Sequence, residues 1–291
     1  MFRGAITALV TPFKNEKVDE AALRDLIEFQ IANGIDGLVP CGTTGESPTL
    51  SHDEHDRVIE ITIDAAKKRV PVIAGTGSNS TAEALRLTRH AYEAGADGAL
   101  IACPYYNKPT QEGLYRHFSQ IAKSVPFPIV PYNIPGRTGV NMSPDLIARL
   151  AKIDNIVGIK EASGSLKQMN DVLDLCGPEF DVLSGDDGFT LPLMAIGGKG
   201  IISVASNIVP ADMAAMVDAA EAGDLAAARA LHKKMSPLFD VLFIEVNPIP
   251  VKAALALMGR IAGEYRLPLC PMAPANLEKL RKALADYGLI S

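Results

Sequence analysis

The chain has 291 residues, with 28 Lys and Arg against 34 Asp and Glu, and a formal net charge of −6. An apolar fraction of 48% and a charged fraction of 21% fit a soluble globular protein and exclude a disordered one, and the length admits one large α/β domain or two ordinary ones. The acidic balance argues against nucleic acid or an anionic membrane as the main partner.

Short β-rich runs alternate with longer segments of helical period. Strands are expected to begin near Ala5, Gly37, Pro71, Gly98, Pro128, Ile156, Asp181 and Gly200. Runs such as Ile6–Val10 and Ile156–Lys160 have the apolar content of buried parallel strands. Between them, Leu23, Leu26, Ile27 and Ile31 share one helical face closed by Asn33-Gly34. Leu85, Leu87, Ala91 and Tyr92 precede Gly95, and Leu146, Ile147 and Leu150 follow a Ser143-Pro144 cap. Eight β/α units predict a (β/α)₈ TIM barrel over 1–223. A doubly wound sheet gives the same alternation, but the count of eight favours the barrel. From Asp224 the strand signals stop. Helices over Leu225–Met235, Val251–Met258 and Leu277–Tyr287 predict a C-terminal α-helical extension over 224–291.

The four cysteines, Cys41, Cys103, Cys176 and Cys270, contain no C-x-x-C pair. That excludes a zinc ribbon and a disulfide scaffold and points to a reducing compartment, the cytoplasm. The longest stretches free of charge are 70–82 and 124–136, each broken by Pro or Gly, so no membrane span is expected. Residues 1–13 read as a first strand rather than a signal peptide, because no small-residue cleavage site is clear and Pro12 and Lys14 stand at once after the apolar run.

In a barrel the chemistry sits at the C-terminal ends of the strands. After the second strand, Cys41-Gly42-Thr43-Thr44-Gly45-Glu46-Ser47 supplies converging N–H groups and two hydroxyls, a cradle for a carboxylate or phosphate; a plain turn and helix cap explains it equally well. No G-x-x-x-x-G-K-[ST] occurs, and Gly75-Thr76-Gly77 lacks a third glycine, so nucleotide binding loses its support. His52-Asp53-Glu54-His55-Asp56 suggests a metal, but Ser51-x-x-Glu54 is a capping box and acids belong in a first helical turn. No metal site is expected. Strand four ends Pro104-Tyr105-Tyr106-Asn107, a tyrosine pair suited to packing at an interface. Strand five ends Tyr132-Asn133-Ile134-Pro135-Gly136-Arg137; its phenol can shuttle protons and its guanidinium can grip a carboxylate, although a core tyrosine and a surface arginine are the simpler reading. Pro131, just before Tyr132, donates no ladder hydrogen bond and is awkward in a central strand.

Strand six ends Gly158-Ile159-Lys160-Glu161. Neighbours in a strand face opposite ways, so a Lys160 that points inward leaves Glu161 outside and unable to neutralise it. A desolvated, unpaired amine falls from about 10.4 toward about 7–8, a shift of ~4 kcal/mol. Such an amine forms a Schiff base with a carbonyl substrate; an ion-paired or surface-reaching lysine is the alternative. Strand seven ends Ser184-Gly185-Asp186-Asp187, whose adjacent carboxylates do not share a face and so form no acid dyad.

Gly42-Thr43-Thr44-Gly45-Glu46, Pro104-Tyr105-Tyr106-Asn107, Tyr132 through Gly139, Gly158-Ile159-Lys160-Glu161-Ala162 and Ser184-Gly185-Asp186-Asp187, in this order, resemble the 4-hydroxy-tetrahydrodipicolinate synthase (dihydrodipicolinate synthase) family. This family lies within the pyruvate-dependent class I aldolases related to N-acetylneuraminate lyase. The resemblance extends to Asn247-Pro248-Ile249-Pro250-Val251-Lys252. It implies condensation of pyruvate with L-aspartate 4-semialdehyde, in lysine and diaminopimelate biosynthesis. Lys160 would form the Schiff base, Tyr132 would act as acid and base, and Thr43 would relay its proton to Tyr106 of a neighbouring subunit. Thr44 would hold the pyruvate carboxylate, Arg137 the aldehyde's carboxylate, and Gly185 and Ile202 would offer backbone groups. No metal or organic cofactor is implied, and the assembly would be a homotetramer built as a dimer of dimers. The resemblance also implies feedback inhibition by L-lysine, in a cleft at the tight-dimer interface, away from the pyruvate, at Ser47, Pro48, His52, His55, Asn79, Glu83 and Tyr105. Glu83 suits an ammonium, and Asn79 with Tyr105 a carboxylate.

Two other functions compete. A related aldolase would act on sugar acids; Tyr106 and Arg137 count against it, because a polyol needs many hydroxyl partners and a short acidic aldehyde one guanidinium. A barrel kept only for binding or regulation would not need the intact Lys-Tyr-Thr set. Fold alone decides neither.

Overall fold

The structure is a computed structural model that describes residues 1–291. Eight parallel strands form its centre: β1 Gly4–Ala8, β2 Gly37–Val39, β3 Ile73–Gly75, β4 Gly98–Ala102, β5 Ile129–Asn133, β6 Gly158–Glu161, β7 Asp181–Ser184 and β8 Gly200–Ser203. The sheet runs β2-β1-β8-β7-β6-β5-β4-β3. A bridge between Leu38 and Val72 joins β2 to β3 and closes it into a barrel. All eight expected strands are present. A short antiparallel pair, Phe13–Lys14 with Lys17–Val18, has no signal in the alternation because each arm is two residues long.

Each barrel strand is followed by a helix: α1 Glu20–Ala32, α2 His52–Ala66, α3 Thr81–Ala94, α4 Gln111–Ser124, α5 Pro144–Leu150, α6 Leu166–Cys176, α7 Thr190–Ala195 and α8 Pro210–Glu221. Local chemistry sets their ends. Ser51 and Glu54 form the reciprocal capping box of α2. The Ser143 hydroxyl accepts from Leu146 N–H, with Pro144 in the first turn. Gly95 closes α3 in the left-handed region, at φ 91°. The chain continues into α9 Leu225–Val241, α10 Ile249–Leu257 and α11 Pro274–Tyr287.

Two apolar layers result. Ile6, Val39, Ile73, Leu100, Val130 and Leu183 fill the barrel. A larger layer lies between strands and helices, and it runs without a break into Met235, Leu238, Leu255 and Leu280 of the C-terminal helices.

Pro131 lies in the middle of β5, between β4 and β6, and the register explains why it is tolerated. Ile129 is bridged to Ile156, whereas Tyr132 pairs with Lys160. The β6 side therefore carries one extra residue between these contacts, a β-bulge. At the bulge the Val157 N–H still reaches the Ile129 carbonyl, but the Val157 carbonyl turns away to accept from Asp181 N–H of β7. That acceptor needs nothing from residue 131, so proline leaves no buried carbonyl unpaired there.

Candidate active site

Lys160 points into the barrel mouth. It pairs in register with Tyr132 of β5 on one side and Leu183 of β7 on the other, and Tyr132 and Leu183 both belong to the interior layer. Its Nζ lies 4.3 Å from the centre of the Tyr132 ring. Glu161 faces outward, where its carboxylate accepts from Asn133 Nδ2 at 3.0 Å and Ser163 N–H at 2.6 Å. The alternation expected from the sequence therefore holds, and Lys160 makes no salt bridge. Burial, assisted by Arg137 and opposed by Asp187, holds the Lys160 amine down to about 7.

Burial has the opposite effect on Tyr132, raising its phenol and keeping it protonated; Arg137 and the Thr43 side chain work against that rise. A neutral phenol beside an amine that is about half unprotonated is an acid–base pair at pH 7. Asp187 is also buried. It accepts from Ser203 Oγ at 2.5 Å and Val204 N–H at 3.2 Å, and burial pushes its carboxyl up to about 6. Asp186 instead caps the turn that follows, accepting from Gly188 N–H. The two carboxylates thus have different partners.

Gly185 packs against the lysine. A Cβ there would lie 2.7 Å from the Ala162 Cβ and 3.0 Å from the Lys160 Cε. Ile202 is buried in the barrel, paired with Ile6, and is not among the residues that line the mouth. Gly75 and Gly77, unassigned by the sequence, allow close backbone approach. A Cβ on Gly75 would collide with the Cys41 carbonyl, and one on Gly77 would lie 2.6 Å from Ala102 N.

A small cavity of about 40 Å³ is lined by Lys160, Tyr132, Thr43, Thr44, Gly185 and Arg137, among others. It shares Gly42, Thr43, Leu100, Tyr132, Arg137 and Asn247 with a larger cavity of about 560 Å³. Ser47, Pro48, His52, His55, Glu83 and Tyr105 line that larger space. In the single chain, six of the seven candidate effector residues thus open onto the same cavity as Thr43, Tyr132 and Arg137; Asn79 does not line it. His52 Nε2 lies 2.9 Å from Glu83 Oε1, and Ser78 Oγ donates to the other Glu83 oxygen. These contacts, Ser78 first, hold the Glu83 carboxyl below its ordinary value. His55 is buried, donates from Nε2 to the Gly75 carbonyl at 2.9 Å and is held down to about 4 by burial, so it is neutral at pH 7.

Tyr106 stands apart. It is 89% exposed, has a left-handed φ of 72°, and lines neither cavity of its own chain. Tyr105 beside it turns into the larger cavity.

The sequence reading assigned no role to residues of the segment between α9 and α10. Asn247 donates from Nδ2 to Thr44 Oγ1 at 3.0 Å, and its main-chain carbonyl accepts from Arg137 Nη2 at 2.9 Å. Lys252 of α10 donates to Glu46, both side chains fully buried. No spacing in the sequence signals either contact, because each spans more than a hundred residues.

The sequence profile of the Dihydrodipicolinate synthetase family matches residues 1–287. A 4-hydroxy-tetrahydrodipicolinate synthase of Syntrophus aciditrophicus is 71% identical over 290 residues, covering 100% of both chains. The chloride-inhibited dihydrodipicolinate synthase of Acinetobacter baumannii, solved in complex with pyruvate, is 48% identical, with a TM-score of 0.98 and 100% of both chains covered. The DHDPS of Cyanidioschyzon merolae, solved with lysine bound, is 42% identical, with a TM-score of 0.97 over 99% of each chain. With the profile spanning nearly the whole chain and these relatives matching it end to end, the chain belongs to the dihydrodipicolinate synthetase family.

Proposed function

We propose that this chain condenses pyruvate with L-aspartate 4-semialdehyde to give 4-hydroxy-tetrahydrodipicolinate, in lysine and diaminopimelate biosynthesis. The observation that carries the reading is the buried, unpaired Lys160 amine, held down to about 7, beside a protonated Tyr132. The free amine attacks the pyruvate C2 carbonyl. Tyr132 protonates the carbinolamine oxygen, which leaves as water, and an imine to Lys160 remains. The Tyr132 phenolate takes a C3 proton to give an enamine, whose C3 attacks the aldehyde carbon of the second substrate, and Tyr132 returns that proton to the alkoxide so formed. The amine of that substrate then adds to the imine carbon and displaces Lys160, closing the ring. Each step is a proton transfer or an addition to a polarised carbon, so an amine and a phenol suffice and no metal or organic cofactor is required.

Thr44 holds the pyruvate carboxylate, and Gly185 and Ile202 contribute backbone groups near the keto acid. Arg137, on the rim and next to both cavities, holds the carboxylate of the aldehyde. Thr43 relays the Tyr132 proton to Tyr106 of a second protomer. The outward, left-handed placement of Tyr106 supports this: the side chain is presented away from its own site. The assembly is a homotetramer made as a dimer of dimers. L-lysine inhibits by binding at Ser47, Pro48, His52, His55, Asn79, Glu83 and Tyr105, where Glu83 faces the larger cavity. We read 1–223 as the catalytic barrel and 224–291 as the helical extension that braces it. No helix is long and apolar enough to cross a membrane, and four free cysteines suit the cytoplasm.

The test has two parts. Pyruvate with borohydride should add one reduced pyruvyl group at Lys160, located by peptide mass spectrometry. A coupled assay should then show turnover of pyruvate with aspartate 4-semialdehyde and none with N-acetylmannosamine. Labelling at another lysine, or preference for the sugar, overturns the reading.

A further inference from the structure

The residues that would grip the two substrate carboxylates come from different parts of the barrel, Thr44 after β2 and Arg137 after β5. One residue of the C-terminal extension touches both. Asn247 is 5% exposed and lines both cavities. Its side-chain Nδ2 donates to Thr44 Oγ1, and its main-chain carbonyl accepts from Arg137 Nη2.

The direction of the first bond carries chemical information. Thr44 makes no other side-chain hydrogen bond within the protein, and a hydroxyl has a single proton to give. Because the amide donates to it, that proton remains free for an acceptor in the small cavity that Thr44 lines. The opposite amide orientation would consume the proton, since Oδ1 would accept it. The arrangement has a cost: Asn247 Oδ1 is buried with no partner, and a buried orphan acceptor calls for an explanation.

We propose that Asn247 is a positioning residue, whose side-chain amide fixes the Thr44 hydroxyl as a donor toward the pyruvate carboxylate. This rests on the reading of Thr44 given above. The amide acts on pyruvate through Thr44 alone. The grip on Arg137 belongs to the main chain and survives any side-chain change. The two substrates are therefore affected separately.

The experiment measures, for wild type, Asn247→Ala, Asn247→Asp, Thr44→Val and the Thr44→Val/Asn247→Ala double variant, the pyruvate concentration that half-saturates borohydride trapping at Lys160. The Michaelis constant for aspartate 4-semialdehyde and the thermal midpoint are recorded alongside. A hydroxyl–carboxylate bond is charge-assisted, so Asn247→Ala should raise the pyruvate half-saturation roughly 10-fold and leave the semialdehyde constant within about 2-fold. Asn247→Asp should be worse than Asn247→Ala, because its carboxylate captures the Thr44 proton and repels the ligand. In the Thr44→Val background, Asn247→Ala should change little further. Should Asn247→Ala fail to fold, the near-isosteric Asn247→Asp carries the same test. A purely packing role predicts the reverse order, with Asn247→Asp close to wild type; that result, parallel shifts for both substrates, or additive effects in the double variant would overturn the proposal. If Thr44→Val itself leaves pyruvate trapping unchanged, the role given to Thr44 fails first, and the proposal falls with it.

Discussion

Replacing Lys252 by Met tests the brace between the C-terminal helices and the Thr43-Thr44 loop. Lys252 and Glu46 have fully buried side chains. The Lys252 Nζ lies 4.3 Å from the centre of the Phe13 ring and 5.4 Å from that of Tyr265. Burial pushes the Glu46 carboxyl up and the Lys252 ammonium down, and each is opposed chiefly by the other. Glu46 Oε2 is already without a partner. Lys252→Met leaves this carboxylate buried and without its counter-ion, which costs about 3–5 kcal/mol. With roughly 2–4 °C lost per kcal/mol in chains approaching this size, the thermal midpoint should fall on the order of 10 °C.

The loss should depend on pH with a definite sign. In the variant, Glu46 escapes its isolation only by taking up a proton, so its folded pKa lies above the unfolded value. A group raised in this way stabilises most at low pH, and that contribution is lost as pH rises through the folded pKa. The gap between wild type and Lys252→Met should therefore narrow from pH 8 to pH 5, measured by scanning calorimetry at fixed protein concentration. Glu46→Gln combined with Lys252→Met replaces the pair by neutral groups and should recover most of the loss. A gap that does not change with pH, or a double variant as unstable as the single one, would refute the reasoning.

Three further outcomes are expected. The rate of borohydride trapping with pyruvate should rise as pH passes through about 7, where the Lys160 amine loses its proton, and level off above; a midpoint near the ordinary lysine value of about 10.4 would contradict the burial argument. Gly185→Ala places a methyl 3.0 Å from the Lys160 Cε and should slow trapping at least about 10-fold by misplacing the amine; a rate equal to wild type would show that the stem yields freely. L-lysine should inhibit wild type, and Glu83→Ala should lose most of that inhibition with its basal rate retained; equal inhibition of both proteins in an initial-rate titration would remove Glu83 from the effector site.

Much of this molecule is written locally. The eight strand starts, the Ser51–Glu54 capping box and the Ser143-Pro144 cap depend on residues within a few positions of one another, and short-range sterics and hydrogen bonding are sufficient to specify them. The inward face of Lys160 follows from strand alternation and an unpaired strand end. The order of five motifs was enough to indicate the family, since no local rule links them and only a shared site does.

What the sequence alone could not decide is what meets across the chain. Pro131 read as a misfit, and only the bulge in the neighbouring strand, which turns the Val157 carbonyl toward β7, shows why it fits. The effector residues read as a cleft between subunits; only the fold shows that, in the single chain, His52, His55 and Glu83 open onto the cavity that Tyr132 also lines. Asn247 and Lys252 carried no signal, because their partners Thr44 and Glu46 lie about two hundred residues away. The pKa values of Lys160 and Asp187 depend on desolvation by the whole barrel. Periodicity and caps are properties of neighbours in sequence; burial, register and charge pairing are properties of neighbours in space, and only the closed barrel brings those together.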